Sequence, residues 1–298
     1  MNEDRFIEAD GARIWVHIEG KGKPMVLVHG IALTHDMWRY QIPYLKNSHQ
    51  VVAIDLRGFG KSDQPKERYT YKTWADDLDT VLKELQLQNV TLVGFSMGGA
   101  IAMYYMTTRP APPVEKLVLV AAAGPYMSYD LGNAADHWPC GHVRAFWDAL
   151  IDLLDHERDY EAILQFYDGV LLPLERGKFR WIQGMFKSSS HCALKGGLEE
   201  IRDKDLTKEW SGIYVPTKII GGSTDSLVPS TLVEEQQILI DDSTLPTMLV
   251  GGHGIFFEQP DELNRALTGE QSLRAFECAM RWCRWCPVRY ICVSGNKV

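Results

Sequence analysis

Six short apolar runs, spaced along the chain with helix-like stretches mostly between them, restrict this sequence more than any other feature. They are Pro24–Val28, Gln50–Ile54, Val90–Val93, Lys116–Val120, Thr217–Ile220 and Thr247–Val250. A strand that alternates apolar and polar residues keeps one face in water, whereas a run apolar throughout is covered on both faces. Repeated strand–helix alternation therefore predicts a largely parallel sheet with crossover helices on either side. Ahead of it, Ile14, Val16 and Ile18 alternate, and with Phe6–Ala9 they predict an antiparallel hairpin at the sheet edge.

The helix after the second run is legible in detail. Tyr71, Trp74, Leu78, Val81, Leu82 and Leu85 recur at three- and four-residue steps and form one apolar stripe, while Asp76, Asp77, Asp79, Lys83 and Glu84 are expected on the solvated side. A second helix is predicted directly after Ser96, to be stopped by Pro110. From Gly124 to about Trp210 the strand-like runs cease and large aromatics appear at helical spacing. The chain is accordingly divided into a first core part (1–124), a helical cap (125–210), a second core part (211–273) and a Cys/Trp-rich basic extension (274–298).

Composition narrows the function classes. Hydrophobic residues make up 45% and charged residues 23% of 298, as in a globular protein. A net charge of −8 disfavours nucleic acid as partner, because a binder needs a basic face to displace counterions. No apolar run reaches the roughly 18–20 residues that span a bilayer. The polar start Met1–Arg5 carries no signal-peptide pattern, so a cytoplasmic location is expected and the six cysteines are read as free thiols.

Gly94-Phe95-Ser96-Met97-Gly98 is a G-x-S-x-G sequence with a strand before it and a helix after it. A serine on such a turn holds its hydroxyl clear of the sheet, and small residues two positions away on each side let strand and helix approach. Serine attacks a carbonyl only when a neutral imidazole takes its proton and a carboxylate orients that imidazole. Asp225, in the turn Gly221–Asp225, and His253, in the turn Gly251–Gly254, each follow a predicted strand, where a parallel sheet displays its functional groups. Competitors fall away. The turn after Val120 has no carboxylate, Asp55 is expected to pair with Arg57, and Asp241 and Asp242 precede their strand. His137, His142, His156 and His191 lie in the cap, and His17, His35 and His49 precede the serine. The loop His29-Gly30-Ile31 follows the first run, so the backbone N–H groups of Ile31 and Met97 are the expected oxyanion donors, with His29 bonding its own loop.

On these residues the chain resembles the α/β-hydrolase fold from about Phe6 to Leu267. The resemblance rests on His29-Gly30, Asp55–Ser62, Gly94–Gly99, Asp225 and His253, and within the fold it is similar to esterases, lactonases and cofactor-free haloperoxidase-type perhydrolases. It implies a mostly parallel sheet flanked by helices, with the cap inserted after the sixth strand. It further implies an acyl-transfer enzyme with Ser96 as nucleophile, His253 as base and Asp225 as orienter, and with no metal and no organic cofactor. Epoxide hydrolases and haloalkane dehalogenases, of the same fold, carry an aspartate where Ser96 stands.

Substrate choice is expected from the cap and the pocket rim, with Trp147, Phe166, Trp181, Met185 and Leu227 as lining residues and a short- to medium-chain ester or an acyl lactone as small-molecule partner. A ligand receptor with little turnover and a C–C bond hydrolase are the other readings of the same serine site. The tail departs from the family pattern. Cys283 and Cys286 form a C-x-x-C beside Cys278 and Cys292, open to zinc binding, to contact with an anionic surface or to reading as a plain extension. Oligomeric state is not fixed by the sequence.

Overall fold

A computed structural model describes residues 2–109, 112–128, 143–159, 162 and 176–270. Eight strands form one sheet in the order β1-β2-β4-β3-β5-β6-β7-β8: β1 (Asn2–Ala9), β2 (Ala12–Gly20), β3 (Lys23–Val28), β4 (His49–Ile54), β5 (Val90–Phe95), β6 (Val114–Val120), β7 (Thr217–Gly222) and β8 (Thr247–Leu249). The first two strands pair antiparallel, β2 runs antiparallel to β4, and every pairing from β4 to β8 is parallel. All six apolar runs and the edge hairpin are thus strands.

The central strands are apolar because both faces are covered. Val26, Leu27 and Val28 on β3, Val51, Val52 and Ala53 on β4, and Leu117 to Val120 on β6 are fully buried. The covering helices are α2 (Tyr71–Glu84) and α3 (Met97–Thr108), with α1 (Ile42–Leu45) shorter. Thr70 caps α2 by accepting the Thr73 N–H, and Tyr71, Trp74, Leu78, Val81 and Leu82 make up its buried stripe. Helix α3 is apolar on nearly every side and correspondingly enclosed.

One residue of the α2 stripe departs from expectation. Asp77 is buried, and both its oxygens accept from Arg57, at 2.6 Å each. Arg57 therefore does not pair with Asp55. Instead, Asp55 accepts the backbone N–H of His35 and faces its ring Nδ1 at 2.8 Å, and it also accepts the Lys61 N–H. The hydrophobic pattern placed Asp77 in water because it counts polarity. A buried carboxylate is tolerated where a guanidinium meets it bidentately.

Between β6 and β7 lie α4 (Val143–Asp155), α5 (Arg176–Phe186), α6 (His191–Asp203) and α7 (Thr207–Trp210), with no strand among the described residues. Helix α4 packs on α6. At Gly197 of α6 a Cβ would lie 2.9 Å from the Ile31 side chain and 3.1 Å from the Met97 sulfur, so a glycine there lets α6 rest on the loop after β3 and on the start of α3. After β7 come α8 (Ser230–Leu239), α9 (Ile255–Glu258) and α10 (Pro260–Thr268). No helix among the described residues is long and apolar enough to cross a membrane. The extension 274–298 with its C-x-x-C lies outside the described residues.

Candidate active site

Parallel pairing aligns the carboxyl ends of β3, β5, β6, β7 and β8 along one rim, and the turns leaving them supply the site. Ser96 leaves β5 with φ 51° and ψ −121°. That left-handed backbone costs a non-glycine residue about 1–3 kcal/mol and persists only where the surroundings hold it. Here the Ser96 N–H donates to the Val120 carbonyl at 3.1 Å, and its own carbonyl accepts from Gly99 and Ala123, both at 2.9 Å. Crowding explains the flanking glycines. A Cβ on Gly94 would lie 2.6 Å from the Gly99 Cα, and one on Gly98 would lie 2.5 Å from the carbonyl oxygens of Val28 and His29.

Ser96, His253 and Asp225 meet. The Ser96 Oγ lies 3.0 Å from His253 Nε2, and His253 Nδ1 lies 2.8 Å from Asp225 Oδ2. A carboxylate only accepts, so it holds the imidazole proton on Nδ1 and leaves Nε2 to accept from the serine hydroxyl. The other Asp225 oxygen accepts the N–H groups of Leu227 and Val228 at 2.8 and 2.9 Å, which fixes the carboxylate's own rotation. Their two turns are stitched together as well: Ser223 donates to the Leu249 carbonyl and Thr224 to the Gly251 carbonyl. All three side chains are buried.

The loop after β3 passes directly beside the serine, where a Cβ on Gly30 would sit 3.1 Å from the Ser96 Cβ. Ile31 is the next residue, and Met97 opens α3. His29 does not face the serine. Its Nδ1–H donates to the Gly30 carbonyl at 2.7 Å and its Nε2 accepts the Leu56 N–H at 3.0 Å, so it bonds its own loop as expected. Burial lowers its pKa to about 4, and the imidazole is neutral.

Comparison with known proteins bears on the family. The model of the alpha/beta hydrolase fold matches residues 23–150. The AB hydrolase superfamily protein YisY of Bacillus subtilis (strain 168) is 36% identical over 255 residues, 84% of this chain and 92% of that protein. The chain belongs to the α/β-hydrolase superfamily. A non-heme haloperoxidase of Rhodococcus erythropolis is 29% identical over 270 residues, covering 88% of the chain and 97% of that protein. Among solved structures, an esterase from Exiguobacterium antarcticum is similar with a TM-score of 0.81 at 30% identity, over 90% of this chain and 98% of that one. These likenesses put the hydrolase in the esterase and haloperoxidase-like branch.

A small apolar cleft of this hydrolase, with a cavity volume of about 20 Å³, is lined by Ile31, Ala32, Leu150, Leu154, Ala162, Leu194 and Leu198. Four of the residues expected to line the substrate pocket are among the described residues. Trp147 is buried and donates its indole N–H to the Met127 carbonyl at 2.8 Å. Trp181 donates to Asp36 at 2.6 Å and packs edge-on against Tyr40, Phe256 and Phe257, joining α5 to the core. Met185 and Leu227 are buried, and Leu227 serves the site through its N–H on Asp225. Phe166 lies outside the described residues. The lining leucines are spaced four apart on α4 and on α6, a signal present in the sequence but shared with ordinary helix packing. Among the described residues no cluster of three or more His, Cys, Asp or Glu is placed to hold a metal ion.

Proposed function

We propose that this hydrolase cleaves carboxylic esters, short- to medium-chain esters or acyl lactones, through an acyl-enzyme on Ser96, under a helical cap formed by residues 125–210. The observation that carries the reading is the continuous contact from Asp225 through His253 to the Ser96 hydroxyl. Ser96 Oγ attacks the carbonyl carbon as its proton moves to His253 Nε2. The carbonyl oxygen takes up the displaced electron pair, and the N–H groups of Ile31 and Met97 are assigned to hold it, each such donor contributing about 3 kcal/mol in the transition state. The imidazolium, kept in place by Asp225, returns the proton to the leaving alcohol oxygen as the C–O bond breaks. A water then attacks the acyl carbon, its proton passing to Nε2, and the acid departs with Ser96 restored.

The apolar cleft supports an uncharged acyl group. Its lining residues are all aliphatic, and they include Ile31, the residue assigned to the oxyanion. Each methylene moved from water into it contributes about 0.8 kcal/mol. Reaction with a fluorophosphonate, followed by turnover of p-nitrophenyl esters of graded chain length and of γ-lactones, tests the assignment. Labelling of Ser96 with ester or lactone turnover supports it. Labelling without turnover of any of these marks a ligand receptor or a C–C bond hydrolase instead, and turnover of a β-diketone alone selects the latter.

A further inference from the structure

We infer that Glu258 is a positioning residue for His253, its carboxylate acting as the acceptor that holds the glycine turn in register with Ser96; the inference rests on the serine-hydrolase reading above. His253 stands in Gly251-Gly252-His253-Gly254, a turn with three glycines. Glycine loses more conformational freedom on ordering than any other residue, so such a turn does not hold a side chain in one place unaided. The Asp225 carboxylate orients the ring but touches only its Nδ1 edge. What fixes the backbone that carries the ring is a separate question.

Glu258 answers it from the far end of α9. Its Oε2 accepts the Gly252 N–H at 2.7 Å, and its own N–H donates to the Gly254 carbonyl at 2.9 Å. Residues 252 to 258 are thereby closed by two hydrogen bonds, one on each side of His253. The carboxylate also fills the space the glycines leave. A Cβ on Gly251 would stand 2.6 Å from Oε2, and one on Gly254 would stand 2.8 Å from Oε1. The carboxylate thus lies against both ends of the turn, and at Gly254 the Phe257 ring, which a Cβ there would also meet, closes the remaining space. Nothing in the reaction cycle uses Glu258 as acid, base or nucleophile, which leaves its effect to geometry. Displacement of a catalytic group by about 1 Å can lower a rate by about a hundredfold.

Three variants of the full chain separate the possibilities. Glu258→Gln keeps an acceptor oxygen, Glu258→Asp withdraws it by one methylene, and Glu258→Leu removes it at similar volume. Expected for Glu258→Leu is a kcat at least about tenfold lower with KM within about twofold of the parent, for Glu258→Asp an intermediate kcat, and for Glu258→Gln a kcat within about threefold. Urea titration establishes that each variant folds; should Glu258→Leu not fold, Glu258→Asp carries the comparison. A folded Glu258→Leu with the parent kcat overturns the inference, and so does a folded Glu258→Gln as impaired as Glu258→Leu, since charge rather than acceptance would then be what matters. The low-field NMR resonance of the His253 Nδ1 proton reads the same contact without turnover. Its shift or broadening in Glu258→Leu but not in Glu258→Gln supports the inference, and its constancy in Glu258→Leu contradicts it. If Ser96 of the parent protein is neither labelled nor active, the serine reading fails, and the resonance still decides the role of Glu258.

Discussion

The carbonyl oxygen of Val28 stands 2.5 Å from the point a Cβ would occupy on Gly98, so the first turn of α3 is pressed against the end of β3 with no room for a methyl group. The same contact brings the loop after β3, with Ile31, alongside Ser96. Backbone blocks the methyl group, and backbone cannot swing aside. Gly98→Ala is therefore expected to destabilise the fold by about 1–3 kcal/mol, as overpacking does, and to lower ester turnover further by displacing the loop. Urea unfolding and kcat/KM measured together check this; parent values for both would contradict the packing argument.

Arg57 and Asp77 form a buried pair beneath the hairpin of β1 and β2, with Arg57 also donating to the Asp10 carbonyl. Removing one charge strands the other in a dry site. Asp77→Asn is expected to cost about 3–5 kcal/mol, read as a lowered urea midpoint at unchanged slope. A loss below about 1 kcal/mol would mean that the guanidinium finds water or another acceptor when Asp77 is neutral.

His29 makes stability depend on acid. Its folded pKa is about 4 against an ordinary 6.5, with burial as the principal cause. The unfolded chain thus binds this proton first. Its contribution is complete above about pH 6.5, declines as pH falls, and has been lost by about pH 4, a total of about 3 kcal/mol at 1.36 kcal/mol per pH unit. Burial raises the Asp55 carboxyl, but its side-chain and backbone contacts with His35 outweigh that and hold it below its ordinary value, so it adds a further loss in the acid range. His29→Asn is expected to flatten the slope of stability against pH between 6.5 and 4. An unchanged slope would show that His29 is not the group responsible.

Most of the sheet was readable because a doubly covered strand has little freedom in composition: from Val26–Val28 to Leu117–Val120, the runs admit almost only aliphatic side chains. The candidate triad was readable for a related reason. Only at strand ends could Ser96, Asp225 and His253 converge, and glycines mark the turns that present them. The role of Asp77 was not readable, because a polar residue within an apolar stripe means solvent unless a partner distant in sequence is known. The lining of the cleft was hidden differently. Trp147 and Trp181 draw notice by size, and their indole N–H groups bind Met127 and Asp36, whereas this cleft is lined by smaller aliphatic residues whose spacing is also that of ordinary helix packing. Glu258 was missed because its task is visible only once the turn beside it has a shape.

Leu194 of α6 lines the cleft together with Ile31 and Ala32. A larger ring there removes room for the acyl tail without touching the serine. Leu194→Trp is expected to lower kcat/KM for p-nitrophenyl octanoate relative to the acetate by about tenfold or more, equivalent to about 1.4 kcal/mol or the burial of about two methylenes. Equal effects on both esters would place the acyl group outside this cleft.

The covalent intermediate is the most direct test of the proposed reaction. Protein mixed with p-nitrophenyl butyrate, stopped in acid within the first turnovers and digested, is expected to carry a butyryl group on the peptide containing Ser96, and Ser96→Ala is expected to carry none and to lack turnover. An adduct on another residue, or turnover by Ser96→Ala at the parent rate, would contradict the account.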